Sequence, residues 1–328
     1  MLKVCIVGAG AIGGLMAAAF ARAGHAVTLI ARGAHLAALQ ARGLTVERVD
    51  GRVEHHALPA ADDPAGLGPQ DAVVVALKAY SVAAMLPRLA GLLRDDTAVV
   101  TALNGLPWWY FYRVDGPLRD QPIRCLDPDG SMARSLDAGH IIGCVVHVSG
   151  EVVAPGIIRH TSGRRYLLGE LDGRDSPRLR AICAAMNAGG CAAEATARIR
   201  QAVWTKLIGN LSFNPVAALT LARMDEINGN PALIDIIRTM MEEGMRVAAH
   251  YGEPVEMSVE ERLKVARSLG TAKISMHQDL ERGRPLEIDA IVGSVVELAH
   301  RAGLATPAIQ AIHALIAARA RHAGGATG

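Results

Sequence analysis

The apolar positions of this chain change rhythm near residue 197. Before that point, predominantly apolar runs at residues 2–7, 26–31, 72–77 and 97–103 read as strands buried on both faces. The alanine-rich stretch after residue 13 and the segments 34–41, 82–92 and 176–186 carry helical spacing. Extended pieces are expected at 44–49 and 51–55, and short strands punctuated by Gly and Pro at 139–169, added at the sheet edge. From residue 198 onward, strand signals nearly vanish. Helical periodicity occupies 198–219, 232–251, 259–268, 288–302 and 307–321. The succession predicts an α/β fold: a mostly parallel, doubly wound sheet over residues 1–197 and an all-helical domain over residues 198–328.

The turn between the first strand and its helix reads Gly8-Ala9-Gly10-Ala11-Ile12-Gly13. In such a strand–turn–helix frame, Gly8 permits the tight turn and Gly10 lets the backbone approach a pyrophosphate. Gly13 lets the helix pack closely on the strand. The helix start around Ala11 and Ile12 then offers unpaired N–H groups and a positive dipole end to phosphates. The frame predicts a Rossmann-type dinucleotide site. The second strand ends in Arg32, where an NAD-binding protein usually carries an Asp or Glu for the ribose 2′-hydroxyl. A guanidinium there suits a 2′-phosphate, and Lys78 is a second candidate cation, so NADPH is expected over NADH. The plainer alternative is that both are solvated surface charges.

Composition narrows the field. A net charge of +2 over 328 residues gives no field for nucleic acid or an anionic membrane. Residues 4–21 lack a charged side chain, but glycines at fingerprint spacing argue against a signal peptide or membrane anchor. Cys5, Cys125, Cys144, Cys183 and Cys191 show no CxxC spacing and read as reduced thiols of a cytoplasmic protein. The twelve histidines show no ligand spacing with carboxylates, so no metal is expected. The tail from 324 to 328 is small enough in its residues to be disordered. The apolar helices of the second half would build either a homodimer interface or that domain's own core.

Lys206, Asn210 and Asn214 stand four apart on an otherwise apolar helical segment, which places them on nearly one face. An ammonium flanked by two amides suits a carbonyl substrate, because the lysine can protonate the oxygen that gains charge when hydride reaches carbon. A solvated lysine with two interhelical asparagines is the bland alternative. Ser275 is explicable as a capping or surface hydroxyl, and Glu287 as a carboxylate at a helix N-terminus.

Several motifs then coincide: GxGxxG at the start, Asn104-Gly105 after the fourth core strand, and Pro155-Gly156-x3-His160 with Leu168-Gly169-Glu170 in the middle. They continue with Trp204-x-Lys206-x3-Asn210-x3-Asn214 and Ser275-Met-x-Gln-Asp-x3-Gly-Arg-x2-Glu287-Ile-Asp. Over residues 2–315 this arrangement resembles the ketopantoate reductase family, which reduces 2-dehydropantoate to pantoate with NADPH on the way to pantothenate and coenzyme A. The resemblance implies that Lys206 is the general acid for the 2-keto oxygen. Glu287 would meet the substrate hydroxyl and help hold the lysine. Asn210, Asn214 and Ser275 would contact substrate, Asn104 would stand at the cofactor–substrate junction, and Arg32 and Lys78 would bind NADPH. Closure of the two domains over a cleft would exclude water.

One departure stands out. After Asn104-Gly105 the chain runs Trp108-Trp109-Tyr110-Phe111-Tyr112, five of its eleven aromatics, where the family more usually continues with glycine. The run is expected either to wall an active-site cleft, favouring a bulkier 2-oxo acid, or to lie in a core or dimer patch. A non-catalytic NADPH sensor is the third reading, and a retained Lys206–Asn210–Asn214 stripe speaks against it.

Overall fold

The computed structural model describes residues 1–324. The expected disordered tail lies outside the described residues from position 325 onward. The chain forms two compact units. The first takes Met1–Leu103, Phe111–Gln121 and Gly130–Ile199; the second takes Asn104–Tyr110, Pro122–Asp129 and the chain from Arg200.

The first unit is an α/β fold around one sheet. Its elements begin β1 (Lys3–Val7), α1 (Ala11–Arg22), β2 (Ala26–Ile30), α2 (Gly33–Arg42), β3 (Leu44–Glu47), β4 (Val53–His56), β5 (Ala60–Ala61), β6 (Ala72–Val75), α3 (Val82–Met85) and β7 (Ala98–Ala102). They continue with α4 (Ser131–Ser135), β8 (Ile141–Ala154), β9 (Ile157–Glu170), α5 (Pro177–Ala188) and β10 (Ala192–Ala195). The strand order is β4-β3-β9-β8-β7-β6-β1-β2-β5, with β10 beside β9. β1 pairs in parallel with both β2 and β6, so the chain leaves β1 in one direction and returns on its other side. That reversal is the switch point at which α/β sheets open a ligand crevice. Val4, Ile6, Val74 and Val100 are buried beneath α1, whose Met16, Ala17 and Phe20 complete the core.

Two local expectations need correction. Residues 139–169 hold two 14-residue strands, not several short ones, and they lie inside the sheet as β8 and β9. Gly143, Gly150, Gly163 and Gly169 lie inside these strands instead of ending them. Gly163 (φ +71°) approaches the partner strand so closely that a Cβ would stand 2.2 Å from the His147 carbonyl, and the ladder shifts register between His147 and Ser149. The segment 82–92 is not one α-helix. It is α3 followed by a tighter 3₁₀ stretch, Leu86–Leu92. Pro87 removes the N–H that an α-helix would need there.

The second unit is helical: α6 (Ile199–Thr220), α7 (Met224–Asn228), α8 (Pro231–His250), α9 (Val259–Arg267), α10 (Ser275–Glu281), α11 (Ser294–Arg301) and α12 (Pro307–Gly324). The expected helix over 288–302 opens with a wide π turn, Asp289–Gly293, before α11. Gly244 lets α8 approach α6, since a Cβ there would stand 2.8 Å from Leu211 and 2.9 Å from Ile208. The carboxylate of Glu243, 2% exposed, caps α12 by accepting from the N–H groups of Ala308 (3.1 Å) and Ile309 (2.9 Å). No helix among the described residues is long and apolar enough to cross a membrane.

Candidate active site

In the first unit the glycine turn closes tightly. Gly8 sits at φ +98°, and the N–H groups of Gly8 and Ala9 both donate to the Ile30 carbonyl, at 3.0 and 3.2 Å. A Cβ on Gly13 would stand 2.0 Å from the Gly8 carbonyl oxygen, so the helix can begin this close to the strand only with glycine. Gly10 differs: a Cβ there would meet nothing within 4 Å. Its backbone is therefore open to a ligand, beside the start of α1 at Ala11 and Ile12.

Arg32 follows β2 and is the N-terminal flanking residue of α2. It is exposed and makes no ion pair among the described residues. Lys78 lies just past β6, two residues beyond Ala76, whose carbonyl would stand 2.6 Å from a Cβ on Gly8. Turn and both cations thus gather at the C-terminal ends of β1, β2 and β6. The sequence alone did not single out His35. Its Nδ1 accepts from the Gly156 N–H (3.1 Å), which leaves Nε2–H to donate to the Ala9 carbonyl (2.8 Å). His35 therefore fixes the glycine turn to the β8–β9 hairpin.

In the second unit α6 carries Lys206, Asn210 and Asn214 on one stripe, while Trp204, Leu207, Ile208 and Leu211 are buried around it. Lys206 Nζ donates to Asn104 Oδ1 at 2.7 Å. Asn214 is 3% exposed, and its Nδ2 makes no hydrogen bond among the described residues. Gly105, at φ +81°, places its Cα where a Cβ would be 2.2 Å from the Ala290 carbonyl oxygen, and the Leu106 N–H donates to that same oxygen at 2.8 Å. Ala290 lies three residues past Glu287, within the wide turn, and Glu287 is itself buried at 6% exposure. The segment Asn104–Leu106 thus ties Lys206 on one side to the Glu287 turn on the other. Ser275 is the first residue of α10 and partly buried.

The aromatic run is buried throughout, from Trp109 at 1% to Tyr112 at 4% exposure. Within the second unit, Trp204 Nε1 donates to the Tyr110 hydroxyl at 2.7 Å, and the two rings meet edge-on at 6.3 Å. Tyr110 is therefore a core partner of α6 behind the lysine stripe.

The sequence profile of the ketopantoate reductase family matches twice: its first part over residues 4–173, and its C-terminal part over residues 198–320. The chain belongs to the ketopantoate reductase family, a family of oxidoreductases. It is 43% identical over 316 residues to a 2-dehydropantoate 2-reductase of Mesorhizobium japonicum, covering 96% of this chain and 97% of that one. A solved Ralstonia solanacearum structure superposes with a TM-score of 0.93 at 42% identity and covers 99% of both chains. The crystal structure of 2-dehydropantoate 2-reductase from Geobacter metallireducens superposes with a TM-score of 0.85 at 27% identity, covering 97% of this chain and all of that one.

Proposed function

We propose that the protein is an NADPH-dependent 2-dehydropantoate 2-reductase, with Lys206 as the proton donor to the 2-keto oxygen. The Lys206–Asn104 hydrogen bond carries this reading, because it orients an ammonium by a neutral amide in a family whose relatives bear that activity. The residues of the first unit fit a dinucleotide. Gly10 leaves its backbone clear, Gly8 and Gly13 shape the turn, and Arg32 holds an uncommitted guanidinium after β2 for a 2′-phosphate. Lys78 stands as the second cation on that side. NADPH, when bound, supplies the hydride.

The remaining work falls to the second unit. Lys206 donates a proton to the carbonyl oxygen as negative charge builds on it, and Asn104 holds the ammonium on line for that transfer. Asn214 Nδ2 offers a buried donor to a carbonyl or hydroxyl of the substrate. Asn210 extends the same stripe, and Ser275 offers a hydroxyl to the substrate carboxylate. Glu287 accepts from the substrate hydroxyl and keeps positive charge favoured nearby.

The test is NADPH oxidation by purified protein across a panel of 2-keto acids. Preferred turnover of 2-dehydropantoate supports the assignment. Turnover of another bulky 2-oxo acid in its place reassigns the substrate, and tight NADPH binding without any turnover overturns catalysis altogether.

A further inference from the structure

The first unit carries a second concentration of cationic groups that the glycine turn does not use. A cavity of about 260 Å³ is lined by Leu15, Arg22, Arg48, Arg52, His160 and Arg164, with Tyr166 and Cys191 among its apolar walls. Four guanidinium groups face one lining carboxylate, Asp50, and Arg52 occupies that carboxylate at 2.8 Å through Nε and 2.7 Å through Nη2. Glu54 stands behind the cavity and accepts from Arg22 Nη1 at 2.5 Å and from Arg48 Nε at 3.0 Å. Even with Glu54 counted, positive groups outnumber negative ones by two, before any protonation of His160.

Arg22 and Arg48 are held in place, which sets this part of the cluster apart from loose surface charges. Arg22 also donates through Nε to the Gly189 carbonyl (2.9 Å), and the Arg22 and Arg48 side chains are 24% and 17% exposed. Their charge reaches the cavity wall. Burial pushes the Cys191 thiol up to about 11, and both arginines work against that rise. Arg48 commits only Nε to an ion pair, and Arg164 makes none among the described residues. Both therefore keep N–H forks of the geometry that grips phosphate oxygens. Arg22 closes the far end of α1, about 18 Å of helix from the glycine turn, so this is not the dinucleotide's phosphate site. The volume lies just below the usual range for drug-sized pockets, which matches a phosphate group on a small body.

We infer that this cavity is a second anion site, taking a small phosphorylated molecule whose phosphate bridges the forks of Arg48 and Arg164. Pyrophosphate is the probe. Calorimetric titration of the full chain is run on wild type, Arg164→Gln, Arg48→Gln with Arg164→Gln, and Arg32→Gln. Arg164 is exposed and in no ion pair, so its variant folds without risk to the Glu54 network. Saturable binding in wild type and Arg32→Gln, weakened about tenfold or more in both Arg164 variants, is the expected result. Absence of saturable binding in wild type overturns the site. So does unchanged affinity in the Arg164 variants, or a loss confined to Arg32→Gln, which would place the anion at the glycine turn.

Discussion

Lys206 and Asn104 lie 102 residues apart in the chain, yet the lysine Nζ donates to the asparagine Oδ1 at 2.7 Å. An amide accepts the ammonium's hydrogen bond without adding charge, so Asn104 positions the ammonium by geometry. Asn104→Ala should lower kcat about ten- to a hundredfold with a smaller effect on the KM for NADPH. Asn104→Asp should instead move the alkaline limb of the kcat/KM profile upward, since a carboxylate stabilises the charged amine. Steady-state profiles against pH separate the two. An Asn104→Asp profile that overlays wild type would remove Asn104 from the lysine's environment.

The same short segment makes Gly105 irreplaceable. Its φ of +81° strains any L side chain, and a Cβ would overlap the Ala290 carbonyl at 2.2 Å. Gly105→Ala should cost more than about 3 kcal/mol, read as a fall in thermal midpoint. A midpoint within a degree or two of wild type would mean that the segment shifts freely away from the wide turn.

His35 should govern cofactor affinity without touching the proton transfer. By accepting from Gly156 and donating to Ala9, it holds the glycine turn from behind. His35→Ala should raise the KM for NADPH several-fold, in keeping with the loss of about 1 kcal/mol of net hydrogen bonding, and leave kcat near wild type. A variant with lowered kcat and unchanged KM would contradict this role.

Glu297 makes stability depend on acid pH. Burial raises its carboxyl, but hydrogen bonds from the backbone N–H groups of Cys125 and Arg124, from the Cys125 thiol and from Arg301 outweigh burial and hold it below the ordinary carboxylate value. The folded value is depressed, so this contribution is complete above the unfolded value near 4.3 and fades as pH falls through the folded one. Glu297→Gln should therefore cost about 2 kcal/mol at pH 7 and progressively less below about pH 4. Paired denaturant titrations from pH 7 to pH 3 test this. A constant gap between variant and wild type across that range would show that the carboxylate's ionisation contributes nothing.

The sheet frame was legible because its signals are local. The Gly8–Gly13 spacing, the uninterrupted apolar run Ala72–Val75 and the Lys206–Asn210–Asn214 stripe each follow from one period or one backbone requirement. The long β8–β9 hairpin was not legible, because a glycine that relieves a bulge looks in one dimension like a glycine that ends a strand. His35 escaped notice for a related reason: both its partners are backbone atoms, which leave no trace in residue type. Asn104 enters, and Glu287 gains a functional role, only through family likeness, since nothing local marks a contact bridged by the backbone of Gly105 and Ala290. Pro87, by contrast, is a visible helix breaker whose signal competes with the apolar periodicity around it.

The central claim is that Lys206 delivers the proton in reduction of a 2-keto acid. Its most direct measurement is kcat for 2-dehydropantoate in wild type and Lys206→Ala, with NADPH binding measured separately on each. The account predicts a kcat loss of about a hundredfold to ten-thousandfold with NADPH affinity unchanged. A Lys206→Ala enzyme turning over within a few-fold of wild type would contradict it.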